Sequence, residues 1–94
     1  PYKVSLHQNF PNPFNPRTQI KITTDKISKG VLMVFDVNGS NVITLHNDFL
    51  LPGETLVPWD GRDHLGKIVA TGTYFYSLFV DGELIESNSM IFIK

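Results

Sequence analysis

The 94 residues predict an all-β fold, an Ig-like antiparallel β-sandwich of about seven strands. Three observations carry that prediction. Apolar and polar side chains alternate at a period of two almost throughout. Turn signals recur roughly every eight to twelve residues, and no stretch keeps the period of a helix. Length fits one domain over residues 1–94, with an N-terminal strand and proline-rich strap in 1–17 and the sandwich body in 18–94. A chain of this size buries roughly two-thirds of its unfolded surface. Hydrophobic residues at 41% and a mean hydropathy of −0.03 match a soluble globular chain.

The strands follow in order. Tyr2, Val4 and Leu6 alternate with Lys3 and Ser5, and Ile20 and Ile22 alternate with Lys21 and Thr23 in a β-branched run ending near Asp25. Val31 to Val37 is apolar on both faces, which predicts a central strand covered on both sides. It stops at Asp36-Val37-Asn38-Gly39, with Asp and Gly at the first and last positions of a type I turn. Asn41 to His46 returns as the hairpin partner. Leu51-Pro52-Gly53 turns the chain again, and Thr55, Val57 and Trp59 form the inward face of the next strand. Pro58 within it argues for an edge or a bulge. Thr73 to Val80 alternates Tyr74, Tyr76 and Leu78 on one side with Phe75 and Phe79 on the other. Asp81-Gly82 is a two-residue hairpin turn of the I′ kind, and Leu84 to Ile93 closes the sheet. Trp59 is the natural core anchor.

The most informative segment is Gln8-Asn9-Phe10-Pro11-Asn12-Pro13-Phe14-Asn15-Pro16. Pro11, Pro13 and Pro16 remove backbone donors and fix φ, so neither a helix nor a central strand runs here. Asn12 and Asn15 each precede a proline and are expected to bond their local backbone. A plain linker has little use for the two interleaved rings. The segment reads as a stiff strap that pins both Phe10 and Phe14 onto the core.

Those residues carry a resemblance. Leu6 through Ile20 resembles the opening of the type A C-terminal sorting domain of the type IX secretion system. That family opens with a leucine, then Gln-Asn-Tyr-Pro-Asn-Pro-Phe-Asn-Pro, a variable residue, a threonine, another variable residue and an isoleucine. Phe10 in place of the tyrosine is the departure. The likeness continues along the chain: Asp36 and Gly39 match the family's aromatic-Asp-x-x-Gly turn, although Ser40 stands where a basic residue is usual. Trp59-Asp60-Gly61, then Gly66, then Gly72-Thr73-Tyr74 matches its Trp-Asp-Gly to Gly-x-Tyr stretch. The chain closes on Met90, Phe92 and Lys94 as the family closes on Lys-Met-x-Leu-x-Lys, with Ser89 replacing the first lysine.

The resemblance implies a secretion address at the C-terminus of a cargo protein delivered to the periplasm. The implied partners are the outer-membrane type IX translocon, its sortase-like peptidase and the N-terminal cargo domain of the same precursor. The implied destination is the cell surface or the medium, and Met90, Phe92 and Lys94 are the positions expected to be read. Pro1-Tyr2-Lys3 has neither a charged n-region nor an apolar h-region, so the chain reads as an excised C-terminal module with its export signal upstream. An exposed sheet edge is expected to suit recognition by strand addition.

Other function classes find little support. Eight basic and nine acidic residues give a net charge of −1 without a basic stripe, which argues against nucleic acid and membrane surfaces. The longest apolar run, Val31 to Phe35, is far short of the ~20 residues of a membrane span. The absence of cysteine excludes disulfides and thiolate metal sites. His7, His46 and His64 fall in separate segments without a second ligand at metal spacing. Asp60 and Asp63 invite a calcium reading, but counting from Asp60 puts His64 and Thr71 where an EF-hand loop wants acids, leaving only an irregular site or plain turn formers. There is no nucleophile elbow and no phosphate loop, because no helix start follows Gly61, Gly66 and Gly72. Glu54, Glu83 and Glu86 read as solvated. The expectation is a monomeric non-enzyme without cofactor. The alternatives from other classes are a flagellar hook-capping-like Ig domain and a carbohydrate-binding accessory module. The latter would show a flat row of exposed rings among Tyr2, Phe35, Tyr74, Phe75 and Tyr76.

Overall fold

A computed structural model of the chain describes residues 3–94, so the expectation for Tyr2 lies outside the described residues. Seven strands form: β1 (Val4–Leu6), β2 (Thr18–Thr24), β3 (Ser28–Phe35), β4 (Asn41–Leu50), β5 (Gly53–Trp59), β6 (Gly72–Val80) and β7 (Glu83–Phe92). They build two antiparallel sheets, a three-stranded one in the order β1-β2-β5 and a four-stranded one in the order β4-β3-β6-β7. The sandwich predicted from period and turn spacing is the fold observed.

Alternation sets what each strand buries. Ile20 and Ile22 of β2, Leu32 and Val34 of β3, and Tyr76 and Leu78 of β6 are all buried between the sheets, with Val57 and Trp59 of β5. Pro58, which donates nothing to a ladder, sits on β5 at the edge of its sheet. Asp36 ends β3 as expected: its carbonyl accepts from Gly39 N, and its carboxylate accepts from Asn38 N and Ser40 N. Asp81 and Gly82 both take positive φ, 52° and 82°, the geometry a I′ hairpin requires.

One expectation about β3 is corrected. The strand is central, but only its inner side is covered by a second sheet. Val31, Met33 and Phe35 point outward and are half-buried. Cross-strand pairing arranges that outer face in rows: Asn47–Val31–Phe79–Leu84, Thr44–Met33–Ser77–Ser87 and Asn41–Phe35–Phe75–Ser89. The sequence pattern cannot distinguish a covered face from an uncovered apolar one, because both read as a continuous hydrophobic run.

Candidate functional site

The strap does two jobs in succession. After β1, the chain continues alongside β2: His7 N donates to Lys21 O, and Phe10 and Gln19 exchange backbone hydrogen bonds of 2.9 and 3.0 Å. It then crosses to the other sheet and lies against the free side of β7. There Gln8 Nε2 donates to Ser89 O, Ile91 N donates to Asn12 Oδ1, Phe14 N donates to Ile91 O, and Ile93 N donates to Phe14 O. The bonds before Pro11, Pro13 and Pro16 are cis. The opening segment and the closing strand, far apart in sequence, therefore form one structure.

Pairing partners explain the fates of the two rings. Phe14 forms a parallel bridge with Phe92, an inward residue, so its ring enters the core and is 2% exposed. Phe10 is paired with Gln19, whose neighbours Thr18 and Ile20 point inward, so Phe10 shares the outward face. Its ring is 81% exposed. The expectation that both rings are buried is corrected: one ring is pinned and the other is presented.

The asparagines depart from expectation as well. Asn12 caps the β7 edge instead of its local backbone, and Asn15 is exposed. The buried asparagine is Asn9. Its N–H donates to Tyr76 Oη at 2.8 Å, and Tyr76 donates onward to His7 O at 2.9 Å. Asn9 Nδ2 donates to Pro11 O and Thr18 Oγ1, while Gln8 Nε2 donates to Asn9 Oδ1. Burial raises the Tyr76 hydroxyl above the usual tyrosine range. This clamp is invisible from spacing because its partners lie up to 69 positions apart.

Below the strap sits an aromatic cluster. Trp59, 2% exposed, lies 5.5 Å from Phe14, 5.7 Å from Tyr74 and 6.5 Å from Phe92 between centroids, and Phe14 lies 5.2 Å from Phe92. Trp59 Nε1 donates to Arg62 O, and Tyr74 Oη donates to Ala70 O, so both polar tips are satisfied. Burial, with a smaller effect of the Asp36 charge, raises the Tyr74 hydroxyl. Gly61 takes φ 76°, and a Cβ there would come within 2.8 Å of the Phe92 ring. Only glycine fits that approach.

The three positions expected to be read by a partner separate. Met90 and Phe92 are 0% and 1% exposed, so their side chains belong to the core of the folded domain. Lys94 is exposed, with its backbone N–H donating to Thr71 Oγ1. Among these strand-end residues, Ile91 and Ile93 present side chains outward, 44% and 45% exposed.

Two of the four sheet edges are altered, those of β7 and β4, while β1 and β5 end the other sheet. The free side of β7 is occupied by the strap. Register shifts against β3 leave Leu45 and Val42 of β4 unopposed, and the Val42 carbonyl accepts from His64 N. Such bulges discourage edge pairing.

Asp60 forms a half-exposed ion pair with Arg62 at 3.7 Å, and the Asp63 carboxylate accepts from Leu65 N and Lys67 N in its own turn. The Lys67 amide is the main cause holding that carboxyl below its usual range. Glu54 pairs with Lys21, and Glu86 accepts from Leu6 N, tying β7 to β1. Among the described residues no three His, Cys, Asp or Glu side chains gather where a metal could be held. His7, His46 and His64 make separate contacts with Thr23, Asp48 and Val42. Among the described residues the exposed rings Phe10, Phe49 and Phe75 do not share a row: Phe10 is on the outer face of one sheet, and Phe49 and Phe75 lie in different rows of the other, where half-buried Phe35 stands beside Phe75.

The fold and this junction define a seven-stranded β-sandwich domain closed along one side by a strap. Among solved structures, the chain is similar to dimeric latent PorU from Porphyromonas gingivalis, with 21% identity and a TM-score of 0.82 over 99% of this chain. It is also similar to the alkylpurine DNA glycosylase AlkC of Pseudomonas fluorescens bound to DNA containing an abasic site analog, with 18% identity and a TM-score of 0.57 over 97% of this chain. The chain spans 9% of the first protein and 30% of the second, and at these identities the likeness concerns the fold. No protein-family model and no curated protein matches the chain.

Proposed function

We propose that this chain is a C-terminal sorting domain of the type IX secretion system. On this reading it rides behind a cargo in the periplasm and is recognised by the outer-membrane translocon. A sortase-like peptidase then removes it, and cargo is released or attached at the cell surface. The domain acts as a monomeric recognition module, without a cofactor and without catalysis of its own.

The observation that carries the reading is the union of strap and tail. The two segments that resemble the family's opening and closing motifs are hydrogen-bonded to each other at Asn12, Phe14, Ile91 and Ile93. The whole-chain match to part of PorU is compatible with a type IX setting. On this reading the cut is expected upstream of or close to Pro1, because cleavage inside the sandwich requires strands to open first. A mature cargo terminus beyond Asn9, read by mass spectrometry, would contradict that.

The test fuses the chain behind a fluorescent protein carrying a secretory signal in a type IX-competent bacterium. The fusion is expected on the surface or in the medium. A wild-type fusion that folds yet stays in the periplasm would sink the reading. Lys94→Glu and a truncation lacking Ile91 to Lys94 are compared alongside, with melting of each purified domain to separate loss of address from loss of fold.

A further inference from the structure

We infer that the outer edge of β5 is where a partner adds a strand to this domain, an inference that rests on the sorting reading above and names the edge that is read. The hydrogen-bond pattern of the three-stranded sheet identifies the groups on offer. Gln19 exchanges both backbone bonds with Phe10, and Lys21 O accepts from His7 N, so the odd-numbered residues of β2 face the strap and β1. The even-numbered ones therefore face β5 and bond their opposite residues Trp59, Val57, Thr55 and Gly53. That leaves the N–H and C=O of Glu54 and Leu56, and the C=O of Pro58, pointing away from the sheet. Among the described residues no backbone or side-chain group bonds them.

The other three edges are closed or short. The strap lies on β7, register shifts bulge β4, and β1 spans three residues. β5 runs for seven residues in unbroken register with β2. Pro58 removes a donor only at the last outward position, so two consecutive complete pairing positions remain. Unmet main-chain groups at every second residue call for an extended polypeptide, whose own groups repeat at that spacing. Beside this edge Ile43 and Leu45 of β4, partly buried against the core, line a groove of about 290 Å³ with Pro58 and Trp59. Side chains of an added strand level with Val57 and Trp59 point inward as those do, so an apolar one there covers Ile43 and Leu45. A second copy of the chain fits less well. Centred on Leu56, two β5 strands set Glu54 opposite Pro58 of the other copy, whose missing N–H strands the Glu54 carbonyl. With Glu54 opposite Leu56 instead, two Glu54 carboxylates become diagonal neighbours on one face. The occupant is an extended segment of another protein, apolar at the position level with Val57.

The fusion assay is run with Leu56→Pro, Glu54→Pro and Leu56→Thr. A proline is tolerated on an edge strand where its N–H would face outward, so it deletes an edge donor and spares the β2 ladder. Leu56→Pro is expected to lower surface or medium fluorescence at least about tenfold, the factor that ~1.4 kcal/mol of lost pairing produces. Leu56→Thr keeps the N–H and is expected to export like wild type, and all purified variants to melt cooperatively. In the purified wild-type chain the Glu54 and Leu56 amides are expected to exchange hydrogen much faster than those of Thr55 and Val57. If Leu56→Pro fails to fold, Glu54→Pro decides. Export of a folded proline variant at the wild-type level overturns the assignment. Equal protection of the four amides, or unfolding of both proline variants, overturns it too, since the edge N–H groups are then bonded within the chain. So does a wild-type dimer in sedimentation that Leu56→Pro dissolves, since the edge then serves self-pairing. Retention of wild type together with every variant removes the sorting reading and this assignment with it, an outcome distinct from selective loss in the proline variants, which supports both.

Discussion

Phe10 and Phe14 are the same residue, four positions apart in the same proline-rich segment, and they end on opposite sides of the protein surface. Phe14 is 2% exposed and Phe10 is 81% exposed. Local chemistry does not separate them, since each is flanked by prolines and asparagines. What separates them is the strand each is paired with. Phe14 is matched with an inward residue of β7, and Phe10 with an outward residue of β2. A one-residue difference in pairing sends a side chain to the other face of a sheet. In this motif, then, part of the pattern serves folding and part is offered to solvent.

The largest expected effect falls on the folding half. Phe14→Ala and Trp59→Ala each remove a ring from the packed cluster and should cost about 3–5 kcal/mol. That is a large share of the ~5–15 kcal/mol that typically holds a domain together. Chemical denaturation should show a strongly lowered midpoint, and a loss under 1 kcal/mol, below the usual range for core aromatics, would mean the cluster tolerates collapse.

Next comes the polar clamp beneath the strap. Tyr76→Phe strands the Asn9 amide and the His7 carbonyl, at a cost of about 1–3 kcal/mol. It also carries a pH signature. Burial raises the folded-state pKa of Tyr76, so its contribution is complete below the unfolded value near 10 and is lost as pH rises through the folded value. Melting temperature measured from pH 8 to 11 should fall on the alkaline side in wild type, and less steeply in Tyr76→Phe. Equal slopes would remove Tyr76 from the cause.

Smaller still is the edge cap. Asn12→Ala leaves Ile91 N without its partner and should cost about 0.5–1.5 kcal/mol. Asn15→Ala, at an exposed position, should stay within about 0.5 kcal/mol. Equal effects would show that the two asparagines act through the chain's local conformation instead of through β7.

The smallest effect sharpens the comparison most. Phe10→Ala should move stability by no more than about 0.5 kcal/mol, as for other surface positions. A loss of several kcal/mol would mean the ring is covered in solution.

Local physics was legible in the sequence. Alternation in Tyr74, Tyr76 and Leu78 told which side chains share a face, the Asp81-Gly82 pair told where the chain reverses, and Pro58 narrowed its strand to an edge or a bulge. Each of these is decided within a few residues by sterics and by the two-residue period of a strand. Likewise Trp59 stood out as a core anchor by size alone. The candidate site was legible only in part: its two ends were found, but not that they touch.

Tertiary structure decided the rest, because the deciding partner lies far along the chain. Asn12 bonds a backbone group 79 positions away, and Tyr76 closes on a carbonyl 69 positions away. Met90 and Phe92 are buried because they face inward on a strand whose free edge the strap covers, which leaves Ile91, Ile93 and Lys94 to the outside. The outer face of β3 and β6 could be recognised as uncovered only once both sheets and their order were known. Hydrophobic period names the residues that share a face, but which face meets another layer and which meets solvent depends on pairing between distant segments.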